Sequence, residues 1–436
     1  MKNHIKDFLR KLLKPIGVWE LLSSFRGNWR RARRVDACRR RYARVLRRIR
    51  RKPKGEKVRV LFIVCEIAKF KCQTLFEAMK NDSRFEPIIA LSAWNVQALH
   101  TDEELDRELM EAERLFDRLG FNHVRTVLTH PRRFIPLEKF SPDLVFFSEQ
   151  WGPTGDQDPE SVSRYALMCY VPYFVPNYGD IDTDCHNPTQ EFSWRYYALD
   201  RRWAALYRAS CSRWNTVMKF IPAGHPGLDY VFHARERLPH GDKVIYAPHF
   251  SFPIEGRAWK LIWKWGTFNW NGREILTYAE NHLEMRWVFK PHPLLRERLV
   301  DTGLMTKDEV DAYYARWERL GEVCYDSDYK GLFLASRAMI TDGGTFLTEY
   351  GATGKPIIHL ICPDNVLKPL PPSKVVYDTY YDVHNLDEMY STFKMILEER
   401  RDPARERRLV GIGEAGWGTV DAASNIIADL TTALRR

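Results

Sequence analysis

The sequence predicts two doubly wound α/β domains in series, facing each other across a cleft, behind a basic amphipathic helical arm. Three observations predict it. Strand and helix patterns alternate from Lys57, pause at a polar, turn-prone stretch at 233–242, and restart at Lys243. Repeated alternation implies parallel sheets joined by right-handed crossovers. The strand segments are continuous apolar runs, as strands buried on both faces require. The positive charge, finally, sits ahead of the alternation. Residues 1–54 hold 20 Lys and Arg against 3 Asp and Glu, and the rest of the chain holds 47 against 54.

The arm comes first. Within 1–29, Ile5, Phe8, Leu9, Leu12, Leu13, Ile16 and Trp19 recur every three or four residues, with Lys2, Lys6, Arg10, Lys11 and Lys14 between them. That spacing gives a helix with an apolar face and a basic face, suited to a membrane interface. The basic run Arg30–Lys54 follows. Near an anionic leaflet each Lys or Arg adds about 1 kcal/mol, so residues 1–54 are expected to hold the protein on an anionic membrane. The competing reading is a helix packed on the body with a solvated basic tail. Nucleic acid is not an expected partner, because few aromatics interleave the arginines and the body has no basic excess. The chain of 436 residues contains no run of 18 uncharged apolar residues, so no spanning helix is expected. The opening MKNHIKDFLRKLLK lacks an apolar core and a cleavage site, which argues against a secretory signal. Eight scattered cysteines form no CxxC pair. They suit a reducing cytoplasm rather than a disulfide framework or zinc site.

The first unit is expected to begin with a strand over 58–65 (VRVLFIVC), a helix over 73–80 and a strand over 87–91. A charged amphipathic helix at 101–119, strands at 143–148 and 169–175, a helix at 203–210 and a strand at 216–221 complete it. The second unit is expected to place strands at 243–247, 287–290, 338–341 and 356–360, with a short extended piece at 323–325. Helical patterns fill 296–304, 307–320, 329–335, 386–400 and 421–434, and another opens near Thr345. The expected division is an arm at 1–56 and Rossmann-like domains at 57–232 and 233–436. Ligands of such sheets bind at the carboxyl ends of the strands.

Four segments lie at those ends. In Ile340-Thr-Asp-Gly-Gly-Thr-Phe-Leu-Thr-Glu-Tyr350 a strand closes, glycines turn the chain and a helix opens. Glycines let a backbone approach a phosphate, and the first helical N–H groups then point at it. An ordinary strand–helix turn would carry the same glycines. Phe289-Lys-Pro-His-Pro293 holds His292 between two prolines, where an imidazole serves as a base or pairs with phosphate; Lys290 adds a charge. Tyr246-Ala-Pro-His-Phe250 supplies His249, and Gly224-His-Pro-Gly-Leu-Asp-Tyr230 supplies His225 and Asp229 as cleft candidates. The run Asp180-Ile-Asp-Thr-Asp184 with His186 has the look of a DxD cation site, but a solvated loop is the expectation. No metal or cofactor is expected. GxSxG, HExxH and GxGxxG are absent, so serine hydrolysis, zinc proteolysis and hydride transfer have no support.

The ordered strings YAPHF (246–250), KPHP (290–293) and TDGGTFLTEYGATGKPII (341–358) resemble the CDP-glycerol glycerophosphotransferase family, the teichoic-acid polymerase-like enzymes of GT-B fold. Gly224–Asp229 is similar to that family's GxPRxD string, and Glu66–Phe76 to its first loop and helix. The resemblance covers roughly 57–400. It implies an acceptor domain at 57–232 and a nucleotide-donor domain at 233–436. His292 would contact the donor pyrophosphate as the catalytic candidate. Lys290 would bind the donor phosphate together with Asp342, Gly343, Gly344 and Thr345, which would form the phosphate-binding turn. The turn reads DGGT here where the family has DYSS, and the family's WHGTP string has no counterpart; YVPYFVPNYG at 170–179 is nearest and has no His. The implied reaction moves a glycerol-phosphate or related polyol-phosphate unit from a CDP-activated donor to a lipid-linked acceptor. It belongs to cell-envelope or capsule polymer synthesis at the inner face of the membrane. A nucleotide-sugar glycosyltransferase and a non-catalytic membrane-associated binding protein of the same fold are the alternatives.

Overall fold

The computed structural model describes residues 18–94, 101–150, 155–175, 187–211, 220–234, 241–252, 264–326, 328–365 and 368–434. The first sheet uses β1 (Val58–Val64), β2 (Phe85–Leu91), β3 (His123–Arg125), β6 (Leu144–Phe147), β7 (Leu167–Tyr170), β8 (Arg195–Ala198) and β9 (Phe220–Pro222), with the hairpin β4 (Val127–Thr129) and β5 (Arg132–Phe134) outside it. Its order is β3-β2-β1-β6-β7-β8-β9, parallel at every pairing. The second uses β10 (Lys243–Ala247), β11 (Arg286–Phe289), β12 (Glu322–Val323), β13 (Ser336–Thr341), β14 (Ile357–Leu360) and β15 (Tyr381–Val383). Its order is β12-β11-β10-β13-β14-β15, again parallel. In each sheet the chain moves outward from its first strand and then returns to that strand's other side. The reversal falls between β1 and β6 in one sheet and between β10 and β13 in the other. Loops leave such neighbouring strands in opposite directions and open a crevice, the site where these sheets take ligands.

Apolar strands explain the burial. Val60–Val64 is buried throughout, and Phe62 stacks on Phe146 of β6 at 4.7 Å. In the second unit, Phe289 of β11 stacks on Trp317 of the helix Lys307–Leu320 at 5.0 Å. Elements that the sequence reading lacked have weak local signals. Strand β8 (Arg-Tyr-Tyr-Ala) carries a charge into the interior, where Arg195 pairs with Asp429 at 3.0 Å. Helix Phe268–Asn281 carries Asn and Gly in its interior, poor helix formers that tertiary packing overrides. The strand expected over 169–175 ends at Tyr170, just ahead of Pro172. The helix expected over 386–400 widens into a π-turn at Lys394–Glu398.

Two findings change the domain picture. Helix Ala422–Leu434, counted with the second unit in the sequence reading, packs on the first unit against the helix Gln73–Lys80. The arm is also not a detachable tail. Its helix Val18–Arg50 buries Cys38, Tyr42, Val45 and Ile49, a stripe at i, i+4, i+7 and i+11. The Tyr42 hydroxyl donates to the Phe192 carbonyl, and Lys52 just beyond the helix pairs with buried Asp143 at 2.5 Å. The interfacial helix expected over 5–19 lies largely outside the described residues. Among the described residues no helix is long and apolar enough to cross a membrane. Because Ile49 is fully buried, Ile49→Ala should destabilise the fold by about 2–5 kcal/mol. A falling urea midpoint at unchanged slope would show it. An unchanged midpoint would mean that the arm is not part of the core.

Candidate functional site at two facing crevices

The β10/β13 crevice gathers residues from three strand ends. His249 follows β10, His292 follows β11, and Asp342–Thr345 follows β13. The two imidazoles meet edge to face with centroids 4.8 Å apart, and Phe250 packs on His292 at 4.5 Å. Each ring is oriented by its own loop. The Leu294 N–H donates to His292 Nδ1 at 3.1 Å, and the His292 N–H is tied to the Pro248 carbonyl at 3.0 Å. His249 Nδ1 accepts from the Ser251 N–H at 3.2 Å and lies 2.7 Å from the Ser251 hydroxyl. Neutral rings held this way carry their proton on Nε2, a tautomer assigned from these hydrogen bonds. Burial keeps both neutral: it lowers His292 to about 4, helped by the charge of Lys69, and drives His249 well below the ordinary imidazole range.

The DGGT turn divides its labour. Asp342 is 1% exposed and accepts from the His249 N–H at 2.7 Å, the Thr267 N–H at 2.8 Å and the Thr267 hydroxyl at 3.1 Å. It therefore positions the loop that carries His249, with both carboxyl oxygens already engaged by these donors. Gly343 has φ +152°, and a Cβ there would sit 2.6 Å from the Trp265 ring; Gly344 has φ +72° with His249 Cδ2 3.7 Å from its Cβ position. Both positions require glycine. The helix opening at Thr345 is only Phe346–Glu349, continued by a 3₁₀ turn at Gly351–Thr353, so local N–H groups and not a long dipole face the crevice. Lys290 is buried and turned aside: its ammonium donates to the Asp326 carbonyl at 2.8 Å and lies 4.9 Å from the Tyr329 ring. Its ammonium is thus held on a backbone carbonyl within the second unit.

Asp342→Ala would leave the His249 and Thr267 N–H groups buried without acceptors, a cost of about 2–6 kcal/mol for the pair. Burial raises the Asp342 carboxyl to about 7. The folded state thus holds a proton that the unfolded chain releases near 4, and stability falls as pH rises from about 4 to 7. That descending contribution should vanish in the variant, as urea melts across this range would reveal.

The first sheet's carboxyl ends face the same space. Lys69 and Lys71 lie in the loop after β1, and Glu149 lies just past β6. The Lys71 ammonium pairs with Glu349 of the second unit at 3.1 Å, and the Tyr329 hydroxyl donates to the same carboxylate at 2.6 Å. Lys330 reaches Gln73 at 3.0 Å, and the Tyr230 hydroxyl reaches the Glu349 carbonyl at 2.8 Å. Lys69 sits over the Trp94 ring at 3.4 Å and 3.0 Å from Glu66. Its charge acts both on Glu149 and, across the cleft, on His292.

Two cleft candidates prove structural. His225 is buried, with Nε2 donating to the Pro172 carbonyl at 2.7 Å and Nδ1 accepting from the Gly227 N–H at 3.1 Å, so both nitrogens are spent. Burial lowers it to about 4. Asp229 is fully buried and caps the helix Ala422–Leu434 through the N–H groups of Ala422 (2.9 Å) and Ala423 (3.1 Å), with the Thr74 hydroxyl at 2.8 Å. It fastens the C-terminal helix to the first unit. Among the described residues no cluster of three His, Cys, Asp or Glu side chains is arranged to hold a metal; the 180–184 run and His186 lie outside them. Lys69, Lys71 and Glu149 were not singled out from sequence. Their signal is position: polar residues directly following a continuous apolar strand.

No family model and no curated protein matches the chain. Solved structures match its fold. A protein described as a UDP-N-acetylglucosamine 2-epimerase from Listeria monocytogenes superposes with TM-score 0.50 at 12% identity, over 87% of this chain and 97% of that one. The wall teichoic acid polymerase TagF superposes with TM-score 0.50 at 10% identity, over 95% and 98%. A UDP-GlcNAc 2-epimerase from Neisseria meningitidis bound to UDP-GlcNAc gives 0.49 at 14%, over 86% and 100%. What the Listeria protein and TagF share with this chain is a fold: two parallel-sheet α/β domains in the GT-B arrangement.

Proposed function

We propose that the protein is a GT-B transferase whose second domain takes a nucleotide-activated donor and whose first domain presents an acceptor hydroxyl. The observation that carries this reading is the convergence of His249, His292 and the Gly343–Thr345 turn at the crevice between β10 and β13. Two imidazole Nε2–H groups beside a glycine turn suit a diphosphate. The motif resemblance favours CDP-glycerol or a related CDP-polyol as donor and a lipid-linked acceptor, in envelope or capsule polymer synthesis. The acceptor oxygen attacks the distal phosphorus, the bond from that phosphorus to the bridging oxygen breaks, and CMP leaves with the electron pair. Catalysis rests on positioning and on neutralising the charge that develops on the leaving phosphate. A lipid-linked acceptor places the enzyme on the inner face of the membrane, held there by the basic segment 1–54.

The test is nucleotide release with a panel of donors. Phosphoryl transfer from CDP-glycerol yields CMP; glycosyl transfer from a nucleotide sugar yields a nucleoside diphosphate. CMP release that needs an acceptor supports the proposal. Release of UDP from a UDP-sugar alone would move the assignment to a glycosyltransferase, and no release from any donor would favour a binding protein. Because residues 33–50 are built into the core, the membrane test is removal of 1–32 only. That protein should fold and bind anionic vesicles more weakly, with the remaining binding reduced by salt.

A further inference from the structure

We propose that Glu149 is the general base that takes the proton from the acceptor hydroxyl; this rests on the transferase reading above. Glu149 stands just beyond the carboxyl end of β6, beside the β1 loop. That is where the first sheet's strand order reverses, the position at which such a sheet holds its ligand. The side chain is 6% exposed, and its Oε2 meets no hydrogen-bond donor among the described residues. A buried carboxylate oxygen without a partner costs stability and calls for an explanation. The groups acting on it are Lys69, Glu66 and Cys65, all at the end of β1 or in the loop after it. None of the three hydrogen-bonds it among the described residues. Lys69 also acts on His292 at the donor crevice, so Glu149 and the donor cradle share one electrostatic space. The second sheet supplies two imidazoles with Nε2–H donors, a constellation suited to an anion. The first supplies an unsatisfied acceptor, which an incoming hydroxyl would satisfy.

The step balances. The Glu149 carboxylate takes the hydroxyl proton as the acceptor oxygen bonds to the distal phosphorus of the donor. The bond from that phosphorus to the bridging oxygen breaks, and CMP leaves. Burial, partly opposed by Lys69 and reinforced by Glu66, raises the Glu149 carboxyl to about 8. A base near the working pH combines availability with proton affinity. The rate should therefore climb with pH up to about 8, as the carboxyl loses its proton.

The experiment compares wild type with Glu149→Gln and Glu149→Asp in the full chain. It reads CMP release from CDP-glycerol with acceptor, CDP-glycerol affinity by calorimetry, and thermal unfolding. Glu149→Gln keeps the shape of a carboxyl that burial holds largely neutral at pH 7, so it should unfold no earlier than wild type. It should bind donor within twofold of wild type and lose about 10²–10⁴-fold in kcat. Its residual rate should be flat across pH 6–9. Glu149→Asp should recover part of the rate together with the pH dependence. If Glu149→Gln keeps a third or more of the wild-type kcat, the assignment is overturned. A residual rate that still rises toward pH 8 overturns it as well, because another group would then be the base. If wild type itself transfers nothing from any donor, the transferase reading fails and this assignment falls with it.

Discussion

Replacing His292 by alanine is expected to cut turnover by about 10²–10³-fold while the protein unfolds near the wild-type temperature. The magnitude is that of losing one preorganised donor aimed at developing charge. The ring is fixed through Nδ1 by the Leu294 N–H and is packed by His249 and Phe250, so its Nε2–H is held ready before any ligand arrives. Its fold contribution is small, because the backbone bond from the His292 N–H to Pro248 does not involve the ring. A pH signature accompanies the loss. Burial lowers the imidazole to about 4 in the folded state. The unfolded chain binds its proton near 6.5, so stability from this group is present above about 6.5 and lost as pH falls toward 4. His292→Ala should therefore resist acid slightly better than wild type while turning over far more slowly. Near-normal turnover in a folded variant would remove His292 from the site.

Lys71→Met is expected to destabilise the protein by about 3–5 kcal/mol. The Lys71 and Glu349 side chains are 9% and 5% exposed and pair at 3.1 Å across the two units. Losing one partner of a buried ion pair leaves the other charge uncompensated, which costs far more than the intact pair contributes. The Tyr329 hydroxyl remains on Glu349, which softens the loss without removing it. Because the pair joins the loop after β1 to the helix Phe346–Glu349 after β13, the variant should also widen the cleft and raise KM for the acceptor. Equilibrium denaturation with kinetics on the same sample would show both. A variant within 1 kcal/mol of wild type would mean that the two units are not clamped here.

The sequence was most legible where local and global signals agree. The apolar run 58–64, the helix over Gln73–Lys80 and the helix Lys307–Leu320 with its Thr306–Glu309 capping box are where their periodicity puts them. Short elements stabilised by distant partners were not legible. Strand β8 depends on an arginine whose carboxylate lies 234 residues away, and Phe268–Asn281 depends on packing that outweighs its Asn and Gly. The donor crevice was legible as strings, because glycine and proline turns at strand ends are local. Roles within it were not. Asp342 read as part of the phosphate-binding turn and Asp229 as a cleft residue, yet each is spent on backbone N–H groups brought to it by tertiary folding. Lys290 read as a phosphate ligand, yet it turns to the Asp326 carbonyl. The arm read as a membrane tail because charge dominates its composition; its buried stripe appears only once the first unit is there to receive it.

On the proposed function, the β10/β13 crevice binds the diphosphate of an activated donor through His292 and His249. Calorimetric titration of CDP-glycerol into the full chain and into His292→Ala tests it most directly. Saturable binding to wild type and at least tenfold weaker binding to the variant are expected. Equal affinity in the two proteins, or no binding of CDP-glycerol or any other nucleotide-activated polyol or sugar, would contradict it.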